Sequence, residues 1–188
     1  MTGQTHPMHR NQRTPAGLLL RVLILVAVTM GLIQVPGVAS AHQPVRLDAR
    51  DSTPKRGPLL MDGTVSFAVY APLAARKMQR GFRFRMQEGQ PLRLQLLITD
   101  TAPANAVPNR RQPVVILVSP SGKRTKIRPD ERTPFYEPYS RTSYLYLSRY
   151  SAVAEKGTYR VRVRARSSVP TNAVVAVGYR EVPGIVRD

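Results

Sequence analysis

Gly157-Thr158-Tyr159-Arg160-Val161-Arg162-Val163-Arg164-Ala165-Arg166 alternates apolar and cationic residues without a break. Successive side chains of a strand point to opposite faces, so this period of two places Tyr159, Val161, Val163 and Ala165 inward. Arg160, Arg162, Arg164 and Arg166 then line the wet face. The same rhythm recurs upstream. Thr64–Tyr70 sets Val65, Phe67 and Val69 on one side, and Gly81–Met86 sets Phe82, Phe84 and Met86 against Arg83 and Arg85. Leu92–Thr99 sets Leu92, Leu94, Leu96 and Ile98 against Arg93, Gln95 and Thr99.

Pro113–Ser119 is apolar on both phases and reads as a central strand. Ser119-Pro120-Ser121-Gly122 then turns the chain into Lys123–Arg128 as its hairpin partner. Ser143–Tyr150 and Val174–Arg180 complete about eight short strands. A single helical turn is expected within Leu73–Arg80. Many short strands separated by turn residues predict an all-β fold, an antiparallel β-sandwich or jelly roll, spanning residues 63–183. The Pro- and charge-rich stretch 42–62 reads as a lead-in, and 184–188 as a tail. Two long loops, Thr101–Gln112 and Pro129–Thr142, are where a sandwich would carry a site.

Residues 1–41 have the three zones of a secretory signal peptide. Arg10, Arg13 and Arg21 precede the apolar run Val22–Val35, and Ala39 and Ala41 supply the small residues of a cleavage site. Cleavage after Ala41 predicts a secreted or periplasmic protein that meets the membrane only through its leader. The competing reading is an uncleaved anchor, for which the apolar run is short.

The 188 residues carry 29 Lys and Arg against 11 acids; without the three leader arginines the balance is 26 against 11, or +15. Such an excess favours polyanions. Only five of the cations are Lys, so a preference for Arg accounts for part of the pattern but not for the shortage of acids. The absence of Cys removes disulfides, thiolate metal sites and Cys nucleophiles.

Beyond the leader the one histidine is His42, which excludes His-based triads and paired-His metal sites. As a new N-terminus, His42 could chelate copper through its α-amine and imidazole, although the second His of a histidine brace is missing. Asp130, Glu131 and Glu137 share a loop, as a carboxylate-dependent hydrolase would need. The alternative is solvated acids pairing with Arg132 and Arg141. Tyr136, Tyr139, Tyr144, Tyr146 and Tyr150 cluster, with Tyr144 and Tyr146 on the strand phase opposite Leu145 and Leu147. They read either as an aromatic platform or as packing anchors.

In order along the chain, Gly81-Phe82-x-Phe84, Glu88-Gly89, Val118-Ser119-Pro120-Ser121-Gly122 and Gly157-Thr158-Tyr159-x-Val161-x-Val163 resemble the bacterial pre-peptidase C-terminal domain. The likeness covers roughly residues 64–181. It implies an exported β-sandwich of the kind appended to secreted enzymes. The stretch Phe135–Tyr144 is similar to uncharacterised exported proteins of that architecture and implies no activity.

The expected function is therefore a non-catalytic exported binding or structural module without a cofactor. It would contact an anionic cell-envelope polymer or a protein partner, and not genomic nucleic acid. Its candidate residues are the cationic set Arg160, Arg162, Arg164, Arg166, Arg83, Arg85 and Arg93, and the loop set Phe135, Tyr136, Tyr139, Arg141 and Tyr144. If the two groups of arginines lie on one sheet they form a cationic plate. Same-face arginines on neighbouring strands repel, and an anionic partner would relieve that repulsion. The alternatives are a copper-binding exported protein and a carboxylate-dependent hydrolase.

Overall fold

A computed structural model describes residues 42–188; the expected leader and its expected cleavage after Ala41 lie outside the described residues. Two six-stranded sheets face each other. The first runs β1 (Gln43–Arg46), β3 (Phe67–Leu73), β11 (Thr171–Val177), β5 (Pro91–Thr99), β9 (Thr142–Val153), β8 (Thr133–Glu137). The second runs β12 (Val186–Arg187), β2 (Leu59–Leu60), β4 (Gln79–Met86), β10 (Gly157–Arg164), β6 (Val114–Val118), β7 (Arg124–Ile127). The all-β sandwich expected from the alternating runs is the observed fold. Every pairing is antiparallel except β1 with β3 and β2 with β4, where the lead-in joins each sheet.

The inward phase of each alternating run builds the core between the sheets. Phe67, Phe82, Phe84, Ile98, Val161, Val163 and Val175 are all fully buried. Burying a side chain of this size contributes about 1.5–3 kcal/mol. Phe84 and Tyr159, opposite one another in the β4–β10 register, stack with ring centroids 5.1 Å apart. The Tyr159 hydroxyl accepts the backbone N–H of Glu155 at 2.8 Å, which satisfies its polar end.

Three details differ from the sequence reading. The lead-in 42–62 supplies two strands, β1 and β2, and the C-terminal tail supplies β12, which pairs with β2. The contact is close where this segment crosses β4: a Cβ on Gly57 would sit 1.8 Å from the Gly81 carbonyl oxygen. Only glycine fits that crossing. The helical turn expected in Leu73–Arg80 is instead the bend from β3 into β4. The Pro129–Thr142 loop contains β8, which pairs with β9 as a hairpin. The Thr101–Gln112 loop remains a loop, holding two 3-10 turns fastened by the buried Gln112 amide, which donates to the carbonyls of Ala104 and Val107.

The strand after Pro113 pairs on both sides, with β10 and with the predicted hairpin partner β7. Gly122, at φ 89, supplies the left-handed residue of that hairpin turn. One irregularity shapes the first sheet. Between Leu96 and Leu97 the β5–β9 register slips, so Leu147 is skipped and both Leu147 and Ser148 turn inward.

Candidate functional site

The two outer faces of the sandwich differ in chemistry, and each carries a hollow. On the second sheet the register aligns the outward residues into rows. Arg83 of β4, Arg160 of β10, Val118 of β6 and Arg124 of β7 form one row. Gly81, Arg162, Ile116 and Lys126 form the next. The outward residues of β6 are thus apolar while their neighbours on both sides are cationic. This explains why the Pro113–Ser119 run is apolar on both phases. Val114 and Ile116 are buried under the flanking side chains, whose aliphatic stems can lie on them.

A furrow follows β6 between these cationic walls. At one end it widens into a basin of about 460 Å³ lined by Arg76, Lys77, Arg110, Arg111, Lys126, Arg164 and Arg166. A second hollow of about 290 Å³ shares Ile116 and is bordered by Lys55, Arg124, Arg160 and Arg162. No carboxylate lines either hollow. The three ion pairs among the described residues, Arg50–Asp48, Arg149–Glu131 and Arg180–Asp62, all lie elsewhere. The repulsion registers on Lys126. Its ammonium is held below the usual lysine range, first by Arg128, then by partial desolvation, then by Arg166, Arg164 and Arg124.

Of the arginines named from the sequence, Arg160, Arg162, Arg164 and Arg166 line this furrow. Arg83 and Arg85 share the same face but line neither hollow. Arg83 donates to the Gly57 carbonyl at 2.9 Å and so helps anchor the lead-in. Arg93 is on β5 of the other sheet, with its guanidinium 4.8 Å from the centre of the Tyr179 ring. The cations that complete the basin, at 76–77, 110–111 and 126, come from three separate loops and strands. No local pattern joins them.

On the outer face of the first sheet lies a cleft of about 260 Å³. Its floor is Ala68, Leu97, Val174 and Ala176, and Tyr144 packs with them into a second apolar cluster, apart from the core. Tyr70, Phe135 and Tyr146 pack against that cluster. The Phe135 and Tyr146 rings are 5.4 Å apart and tilted. Of the sequence-expected loop set, Phe135, Tyr139 and Tyr144 meet here. Tyr136 points to the other side of β8 and is exposed, and Arg141 sits at the hairpin turn with φ 51, lining neither cleft nor furrow. Tyr70, Glu137, His42 and Arg46 also line it.

The charged and titratable groups of the cleft are fixed by local structure. Glu137 accepts the backbone N–H groups of Tyr139 at 3.1 Å and Ser140 at 2.7 Å. Partial burial works against ionisation, yet these bonds hold its carboxyl below the usual glutamate range. His42 lies beside the Ser66 hydroxyl through Nδ1, and burial pushes its imidazole below the usual histidine range despite the charges of Glu181 and Glu137. Burial and the Tyr144 hydroxyl raise the Tyr70 phenol to about 12.

Of the other two acids named in the Pro129–Thr142 loop, Asp130 takes part in none of the ion pairs among the described residues, whereas Glu131 has partners. Glu131 pairs with Arg149 at 2.6 Å and accepts the Thr133 hydroxyl, rather than pairing with Arg132 or Arg141. Arg132 instead donates to the Val107 carbonyl and the Asn109 side chain. Asp48 takes Arg50, and Asp51 accepts the Asp48 N–H. Among the described residues no group of three His, Cys, Asp or Glu converges as a metal site, and no helix is long and apolar enough to cross a membrane.

No family model matches the chain, and no curated protein matches it. Among solved structures, a crystal structure of the Bacillus licheniformis lipase BlEst2 in its propeptide form is similar over 61% of this chain and 22% of that one. Identity is 13% and the TM-score is 0.37.

Proposed function

We propose that this chain is a non-catalytic binding module that holds an anionic cell-envelope polymer along the cationic furrow of its second sheet. The observation that carries the reading is a concave basin with seven cations and no acid in its lining. Arginine forks bind phosphate and carboxylate in a bidentate manner, so teichoic acid and acidic polysaccharides both suit it. The apolar floor of β6 adds a surface for the uncharged parts of such a polymer. Export follows from the leader pattern of residues 1–41 and belongs to the same proposal, as does the likeness to the pre-peptidase C-terminal domain.

Titration of teichoic acid and of a soluble acidic polysaccharide, across a salt series, tests it. Binding is expected to weaken steeply with salt and to fall in a double Arg162→Gln/Arg164→Gln variant that keeps its fold. Affinity unaffected by both salt and the variant, or no affinity at low salt, overturns the reading.

A further inference from the structure

The aromatic cleft on the opposite sheet is chemically unlike the rest of this surface. On a domain with a net charge of +15, it presents a carboxylate, Glu137, that belongs to none of the ion pairs among the described residues. The carboxylate is held in place by two backbone N–H donors and stands beside a hollow floored by Ala68, Leu97, Val174 and Ala176 and lined by aromatic side chains. Aromatic faces attract cations, and two of these rings already do so. The Arg149 guanidinium lies 4.1 Å from the Tyr146 ring centre and that of Arg46 lies 4.9 Å from Tyr70. Arg149 is neutralised by Glu131, whereas Arg46 has no carboxylate partner among the described ion pairs.

The cleft therefore offers an unpaired negative charge from the β8–β9 hairpin and an unpaired positive charge from β1, with an aromatic and aliphatic bed between them. We infer that it binds a small soluble zwitterion, with an alkylated ammonium seated among the rings beside Glu137 and an anionic group reaching Arg46. Alkylation matters because methyl groups fill an apolar bed that would leave an ordinary ammonium's donors without acceptors. A hollow of about 260 Å³ takes a group of that size.

This inference is independent of the furrow reading, since the two hollows lie on opposite sheets. The probe is phosphocholine, titrated calorimetrically into the full chain. Choline, inorganic phosphate and the uncharged carbon isostere 3,3-dimethylbutanol are titrated in parallel. Phosphocholine is expected to bind best. Glu137→Gln, whose single amide oxygen can still accept one of the two hairpin N–H groups, and Tyr146→Leu should each weaken it about tenfold. Arg46→Gln should reduce phosphocholine to the affinity of choline. Arg162→Gln/Arg164→Gln should change nothing. The inference is overturned if phosphate alone or the uncharged isostere binds as tightly, or if the furrow variant abolishes binding. It also fails if phosphocholine does not bind, or if only phosphatidylcholine vesicles do.

Discussion

The hydroxyls of Tyr70 and Tyr144 meet at 3.3 Å although their strands, β3 and β9, are not neighbours. β11 and β5 lie between them, so the two backbones are three strand spacings apart, about 14 Å. The rings close that distance by leaning toward each other across the face that Val174 and Leu97 occupy. The pair thus roofs one end of the cleft, and the adjoining Ala68 and Ala176, being small, leave the hollow open.

This pair has a titration consequence. The Tyr70 phenol is raised to about 12 by burial and then by Tyr144, against 10.0 in the unfolded chain. Between those values the unfolded chain releases protons that the folded chain keeps, so its contribution to stability is full below pH 10 and disappears as pH rises through 12. Tyr144→Phe should lower the Tyr70 value without returning it to 10.0, because burial, the larger cause, remains. An NMR titration that follows the Tyr70 ring in the two proteins reads this directly; an unchanged Tyr70 value contradicts the stated coupling.

Salt should stabilise this domain. Lys126 is depressed mainly by neighbouring guanidinium groups, so the second sheet carries repulsion that no local acid offsets. Screening it should raise the melting temperature with ionic strength. The rise should shrink in Arg164→Gln. A melting temperature that falls with salt, or a salt response identical in the variant, would show that the repulsion does not matter to folding.

The Gly57–Gly81 crossing makes a third expectation. A Cβ on Gly81 would stand 2.3 Å from the Pro54 nitrogen and 2.5 Å from the Thr53 carbonyl carbon, all of it backbone that cannot move aside. Gly81→Ala should cost about 1–3 kcal/mol in chemical denaturation. It should also deprotect the N–H of residue 81, which donates to the Asp51 carbonyl at 2.7 Å, in hydrogen exchange. A neutral substitution would mean that the lead-in packs less tightly than the crossing implies.

The fold was legible because strand periodicity is local. Phe82, Phe84, Val161 and Val163 announce their faces within a few residues of themselves, and the register pairs them as expected. The lead-in was not legible. β1 and β2 are short, and they pair in parallel with strands remote in sequence, so no hairpin turn signals them. The cleft left a signal that alternation alone hides. Ala68, Tyr70, Leu97, Val174 and Ala176 are apolar on the outward phase of their strands. Three strands breaking the apolar-in, polar-out rule on the same side mark a covered or functional outer face. The cationic basin could be half seen. Arg160 to Arg166 announce it, but Arg76, Lys77, Arg110 and Arg111 reach it only through tertiary structure.

His42 gives the last expectation. Its folded value lies below 6.5 because burial disfavours the imidazolium, and Glu181 and Glu137 only partly compensate. The unfolded chain therefore binds the proton first as pH falls. The neutral ring's contribution is full above pH 6.5 and declines below it, until the folded value is passed. The carboxylates with depressed values, Asp48, Glu137 and Glu155, act in a separate window below their ordinary values of 3.8 and 4.5. Melting temperatures taken from neutral pH down to pH 3 should thus fall in the wild type and fall less in His42→Gln, with the two curves steepening together only in the carboxylate range. The charge gained by His42 would also sit on the rim of the cleft and oppose an incoming ammonium. Affinity for choline, whose own charge does not titrate here, should therefore drop in the wild type as pH falls through the lowered His42 value and stay level in His42→Gln. A parallel drop in both proteins would place the responsible proton on another group.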